Sequence, residues 1–291
     1  MVRPLKSFEY FEPEKVEEAV QILSKYGAKA KVLAGGLDLI PRMRLRTTRP
    51  EYVVNIVKIP RLDYIEDGGE GGLRIGALTS LRSIETSPVV KKDYIVLYEA
   101  IRQIASIQLK TTATAVGNLC VATPASDVAP PLIVLGSKFR IAGPAAERIV
   151  PVEDFFVGVN KTVLQTGEIV TEILIPKPPA STGSAFFRLV WTTLDISKVN
   201  VAASLTVSDN MCKEARISLG SVAPTPIRPK KAEEILKGQR LDPKTIEQAA
   251  SAAGEEVEPI NDVRATAEYR WEMTKVLTRR AIEKALERAK A

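Results

Sequence analysis

The sequence predicts an α+β protein of three domains, on three observations. The chain has 291 residues, more than one hydrophobic core organises well. Its first part runs helix, strand, glycine pair, helix in close order. After Pro176-Lys177-Pro178-Pro179 the strand patterns come first and the helix patterns follow, the segregated order of an α+β unit. These breaks divide the chain into an N-terminal α/β domain over 1–56, a middle α+β domain over 57–176 and a C-terminal α+β domain over 177–291.

Each element has a local reason. Over 13–26, Val16, Ala19, Val20 and Leu23 recur at helical spacing and Gly27 is a stop. Lys31-Val32-Leu33-Ala34 reads as a strand, and Asp38 as the N-cap of a helix through Leu39, Ile40, Met43 and Leu45, with Pro41 in the tolerant first turn. Val53 to Ile56 begins a new pattern. Strands are predicted at 64–66 and 73–76 around a glycine-rich turn, helices at 80–86 and 93–104, and strands at 138–142 and 169–175. Beyond the proline boundary come strands at 186–190, 201–207 and 214–219, then helices at 230–236, 243–253 and 266–290.

Composition excludes several chemistries. There is no histidine, which removes His-based acid–base catalysis, the Ser–His and Cys–His nucleophiles and the commonest metal ligand. Cys120 and Cys212 form no CxxC, so no zinc or iron–sulfur site is expected on this chain. Redox chemistry would have to come from an organic cofactor. The net charge of +6 is spread along the chain, without a nucleic-acid motif. No apolar run approaches the ~20 residues of a membrane span, and the N-terminal segment has no apolar signal core. A cytoplasmic location is expected.

Two small-residue phrases stand out: Ala34-Gly35-Gly36-Leu37-Asp38 and Thr114-Ala115-Val116-Gly117-Asn118. A phosphate held by main-chain N–H groups needs close backbone approach, which bulky side chains prevent. The Thr114 hydroxyl and the Asn118 amide would add polar partners. Neither phrase is a G-x-G-x-x-G fingerprint or a Walker A loop. Each alone is also compatible with an ordinary turn.

The string from Leu33 to Met43 resembles the first FAD loop in the flavin subunits of molybdenum hydroxylases, the family of the carbon monoxide, aldehyde and xanthine dehydrogenase flavoproteins. The run Gly117-Asn118-Leu119-Cys120, then Ala122 to Asp127, resembles the second. The resemblance extends through Leu73 to Ala77, Val150 to Phe156, Asp195 to Asn200, Gly220 to Pro226 and Asp262-Val263-Arg264, so it covers essentially the whole chain in order. It implies a three-domain FAD-binding flavoprotein of the vanillyl-alcohol-oxidase or CO-dehydrogenase flavoprotein type. The implied FAD-contacting residues are Ala34, Gly35, Gly36, Leu37 and Asp38, then Thr114, Ala115, Val116, Gly117 and Asn118, clasping the pyrophosphate between two domains. The family also implies Asp127 near the ribityl chain and Lys198 at the flavin, whereas the residues alone read as a helix N-cap and a surface lysine. Ile196 matches a position where some members place an aromatic residue.

Two positions depart from the family. Val116 replaces the first of two glycines, adding bulk and forbidding a positive φ. Leu37 replaces a common Thr or His and removes a side-chain hydrogen bond. Contacts at these points are expected to differ.

The resemblance further implies electron transfer with no catalytic residue and no metal ligand on this chain. Molybdopterin would sit on a large partner subunit and [2Fe–2S] clusters on a small one, in a dimer of heterotrimers. Candidate partner faces are the basic helix over 42–49 and the C-terminal helix with Arg279, Arg280 and Lys284. The alternatives are a free-standing FAD-dependent oxidoreductase, against which stands the lack of a catalytic base, and a nucleotide-binding scaffold without flavin chemistry.

Overall fold

The computed structural model describes residues 4–290, and its strands gather into three principal sheets. The first is built from β1 (Glu9–Phe11), α1 (Val16–Tyr26), β2 (Ala30–Leu33), α2 (Leu39–Leu45) and β3 (Tyr52–Asn55). Both β1 and β2 pair in parallel with β3, giving the order β1-β3-β2. The apolar stripe of α1 buries Ala19, Val20 and Leu23, and Gly27 at φ 54° ends the helix.

The middle unit contains β4 (Ile65–Asp67), β5 (Leu73–Gly76), α3 (Leu81–Thr86), α4 (Pro88–Asp93), α5 (Ile95–Gln103), α6 (Ile107–Thr112), α7 (Ala115–Cys120) and α8 (Ala129–Val134). It continues with β6 (Lys138–Ala142), β7 (Arg148–Pro151), the small pair β8 (Phe156–Gly158) and β9 (Lys161–Thr162), and β10 (Ile169–Ile175). Its sheet has the order β4-β5-β10-β6-β7, antiparallel throughout. At its centre Glu172, 1% exposed, accepts from Arg74, Arg140 and Tyr64. Burial opposes its ionisation, but these three donors hold its pKa below the usual value.

The helix expected over 93–104 is α5, and a further helix that the sequence did not suggest, α4, precedes it. Tyr94, at φ −127° and ψ 48°, breaks the path, and Pro88 at N1 starts the earlier helix after Ser87. The basic helix expected over 42–49 also stops early, because Arg46 turns left-handed at φ 62° and ends α2 at Leu45.

The third unit begins with β11 (Thr182–Leu189), β12 (Val199–Ser208) and β13 (Met211–Gly220), an antiparallel meander. α9 (Lys230–Leu236), α10 (Pro243–Glu255) and α11 (Ala267–Ala289) follow. Both faces of this sheet are covered. Val201, Ala203 and Leu205 pack with Leu277, Ala281 and Ile282 of α11, while Phe186 and Ala202 join the core of the middle unit. The β11 pattern therefore begins earlier than alternation suggested: Gly183 lies against the backbone of Ala285, Arg288 and Ala289. Ile59, Leu62, Ala142 and Ile169 extend the N-terminal core, so the first two units share apolar packing.

Candidate functional site

The two small-residue phrases, far apart in sequence, meet in space. β2 delivers the chain into Gly35-Gly36, and α6 delivers it into Thr114. Gly35 rests on the segment ahead of the second phrase: a Cβ there would overlap the Thr112 carbonyl oxygen. Gly36 adopts φ 71°, which favours glycine, and abuts Leu33 and Ile40. Both phrases line one cavity of about 630 Å³, whose apolar walls include Leu23, Ile56, Leu109 and Val170. Of the ten residues expected there, Ala115 is the one that does not line it; it is 2% exposed and packs in the middle core.

The local hydrogen bonds leave main-chain donors free. Thr114 caps α7, its hydroxyl accepting from the Gly117 amide at 3.0 Å. The amides of Leu37, Asp38 and Val116 have no partner among the described residues. Asp38 was expected to cap α2, but its own backbone is already helical and its side chain caps nothing. Its carboxylate instead lies 4.0 Å from Arg42. Arg42 in turn donates to Asn160 at 2.9 Å, linking α2 to the β8–β9 turn.

Val116 adopts an ordinary negative φ within α7, and its side chain, 6% exposed, is part of the middle core. No positive φ is required there. The valine bulk packs in the middle core and also lines the cavity. Cys120 also lines the cavity, and burial pushes its thiol up to about 12, which disfavours the reactive thiolate at neutral pH.

Asp127 and Lys198 lie outside the cavity lining, and neither matches its residue-level reading. Ser126, not Asp127, accepts from the Val128 and Ala129 amides at the start of α8. Asp127 is buried and saturated: one carboxylate oxygen accepts from Ser197 and Asn200 at 2.6 Å, the other from Arg188 at 2.8 Å. Those donors all come from the third unit, so Asp127 ties it to the middle one. Ser126 connects the knot to the cavity through a 2.6 Å bond to Asn118.

Lys198 is not a surface residue. It is 1% exposed, with its ammonium 3.9 Å from the centre of the Trp191 ring. Burial lowers its pKa, opposed by Asp195 and reinforced by Arg270. Sequence reasoning missed Arg188 as a supporting residue, because nothing local marks a buried arginine on a strand. Ser197 and Asn200 were inside a quoted motif but carried no assigned role.

The family described as the FAD binding domain in molybdopterin dehydrogenase matches residues 6–178, more than half of the chain. The chain belongs to that family. A second match, the CO dehydrogenase flavoprotein C-terminal domain, covers residues 184–285. The carbon monoxide dehydrogenase medium chain of Afipia carboxidovorans is 34% identical over 284 residues, 98% of each chain. The glyceraldehyde dehydrogenase medium chain of Sulfolobus acidocaldarius is 29% identical, over 95% of this chain and 97% of that one. In the solved carbon monoxide dehydrogenase of Hydrogenophaga pseudoflava, one chain superposes with a TM-score of 0.95 at 35% identity, covering 99% of both. The chain is thus an FAD-binding flavoprotein with the CO-dehydrogenase flavoprotein fold, an oxidoreductase component.

The cleft fits that cofactor. Gly35 and Gly36 bring bare backbone to its wall, residues with unpartnered amides line it from both phrases, and among the described residues no acidic side chain other than Asp38 and Glu168 lines it. Among the described residues no helix is long and apolar enough to cross a membrane.

Proposed function

We propose that the chain is the electron-transfer subunit of a heterotrimeric molybdenum hydroxylase, holding FAD between the two small-residue phrases. The observation that carries this is the convergence of Ala34 to Asp38 and Thr114 to Asn118 on one cavity, with Gly35 seated against Thr112. When bound, FAD accepts electrons singly and releases them as a pair, joining one-electron clusters to a two-electron acceptor.

The chain's residues bind and orient. The Leu37, Asp38 and Val116 amides would donate to the pyrophosphate, and the Asn118 side chain, fixed by Ser126, would contact the same end. Asp127 and Lys198 would act differently: Asp127 positions Arg188 and through it the Thr193 and Asp195 carbonyls, and Lys198 would meet the flavin ring from outside the cavity lining. The electrons would come from [2Fe–2S] clusters of a small subunit, with molybdopterin on a large subunit, in a cytoplasmic dimer of heterotrimers. The carbon monoxide and glyceraldehyde dehydrogenase relatives are medium chains, which supports a multi-subunit assembly.

Purification of the chain with its native partners tests the proposal. Flavin absorption that bleaches with dithionite, or with substrate once a molybdenum-containing subunit is present, is the expected result. A colourless protein that fails to take up added FAD, alone or assembled, would overturn it. Reduction by a simple alcohol or NADH without partners would point to a free-standing oxidoreductase.

A further inference from the structure

A lysine is seldom buried unless its ammonium is engaged. Lys110 of α6 is 3% exposed and lines the cleft, yet its ammonium is spent on protein groups. It meets Glu85 of α3 at 2.9 Å. It also donates to the Arg102 carbonyl of α5 at 3.2 Å and to the Ile101 carbonyl at 3.5 Å. The last turn of a helix leaves backbone acceptors over, and a cation there also meets the negative end of the dipole. Burial opposes the ionisation of Glu85, but Lys110 and Arg82 hold its pKa below the usual value. One ammonium thus joins α3, α5 and α6.

These helices bear directly on the cleft. The Leu81 amide at the start of α3 donates to the Ala113 carbonyl at 2.8 Å, and Ser80 bridges to Thr114. α6 carries Thr112, whose carbonyl seats Gly35 of the first phrase. The link from α5 to α6 supplies Ile104 and Ala105 to the cleft wall, and α6 supplies Leu109. Ala105 holds φ 41°, a left-handed conformation unfavourable for alanine, which persists only where neighbours fix it. The Lys110 ammonium closes that link, reaching from α6 back to the end of α5.

We propose that Lys110 is a positioning residue for the cofactor: its ammonium straps α5 and α6 to α3 and so fixes the spacing of the two small-residue phrases. This rests on the FAD reading, in which both phrases hold the pyrophosphate. Lys110 acts on the ligand through geometry, not contact. Without the ammonium the α5–α6 link loosens, Thr112 shifts under Gly35, and the amides of the two phrases no longer converge. The other Glu85 oxygen stays paired with Arg82 at 2.8 Å, so losing Lys110 does not leave a lone buried charge.

The test pairs hydrogen exchange, read by mass spectrometry, with fluorescence titration by FAD and ADP, on the full chain with any subunits that co-purify. Without ligand, K110M should speed exchange over residues 104–114 about tenfold and leave β11 to β13 unchanged. The same variant should weaken FAD and ADP alike, about tenfold, since both carry a pyrophosphate. E85L should weaken them too, and K110M/E85L should fall short of the sum of the two losses, because both cut one link. R82M, which cuts only the outer pair, should bind FAD as the wild type does. Unchanged exchange in K110M would overturn the strap. Faster exchange with unchanged FAD affinity would leave Lys110 a structural residue only and overturn its positioning role, as would an additive cycle. Should K110M fail to fold, K110Q takes its place and is read the same way. A wild type that binds neither FAD nor ADP would sink the FAD reading separately, because the exchange comparison needs no ligand.

Discussion

Gly35 and Thr112 touch through their backbones, so the first small-residue turn is seated on the segment that leads into the second. Because the contact is with a carbonyl oxygen, no side-chain change at Thr112 can make room for a larger residue at 35. G35A should force the two turns apart, weakening FAD binding about tenfold or more and costing roughly 1–3 kcal/mol of stability. Isothermal titration with FAD and urea denaturation measure the two effects. An unchanged affinity would show that the contact does not shape the cleft.

Val116 behaves as a core residue. V116G removes a buried side chain and places glycine inside α7, so it should cost about 2–3 kcal/mol. It should not tighten FAD binding, although it restores the family's glycine. V116A should cost less, and the urea midpoints of the two variants order them.

Asp127 is the carboxylate on which three donors of the third unit converge. D127N leaves Arg188 buried without its counter-charge and should cost about 3–5 kcal/mol. The paired replacement D127L/R188M should be less damaging than D127N alone. Equal losses in the two would argue against a charge-based knot, and thermal denaturation distinguishes them.

Acid sensitivity follows from Asp262. Burial opposes its ionisation, but the Arg264 and Ala265 amides and the Arg270 guanidinium prevail and hold its pKa at about 2. A carboxylate with a folded pKa below its unfolded one, ~3.9, stabilises fully above the unfolded value and loses that contribution as pH falls through the folded one. Glu172, also lowered, acts in the same direction. Stability should therefore fall between pH ~4 and ~2, and D262N should flatten that limb. Chemical denaturation at a series of pH values reads the slope.

The long regular parts were legible in the sequence because their periodicity is strong: α1, α10, α11 and the three strands of the last sheet all fell near their expected places. Short elements were not. α4 is six residues long, and the β8–β9 pair has too few residues to show a pattern. The glycine phrases were visible because backbone approach demands a residue type. Lys198 and Asp127 were misread locally because burial is a tertiary property: a lysine in a polar loop carries no mark that a tryptophan seven residues earlier will cover it. Arg188 sits on a strand whose neighbours on both sides are apolar, and only the folded partner explains its charge.

The pair formed by Glu99 of α5 and Arg288 of α11 joins positions 189 residues apart, and Arg288 also donates to the Ser184 carbonyl. Synthesis of the chain thus has a built-in order. A nascent chain that has emerged as far as β13 can assemble the first two sheets and the meander, yet the exposed face of that meander has no helix to cover it. Docking of α11 follows formation of the meander, because α11 comes after β13 in the chain. Until then, Val201, Ala203 and Leu205 form an apolar surface open to chaperones or to other nascent chains.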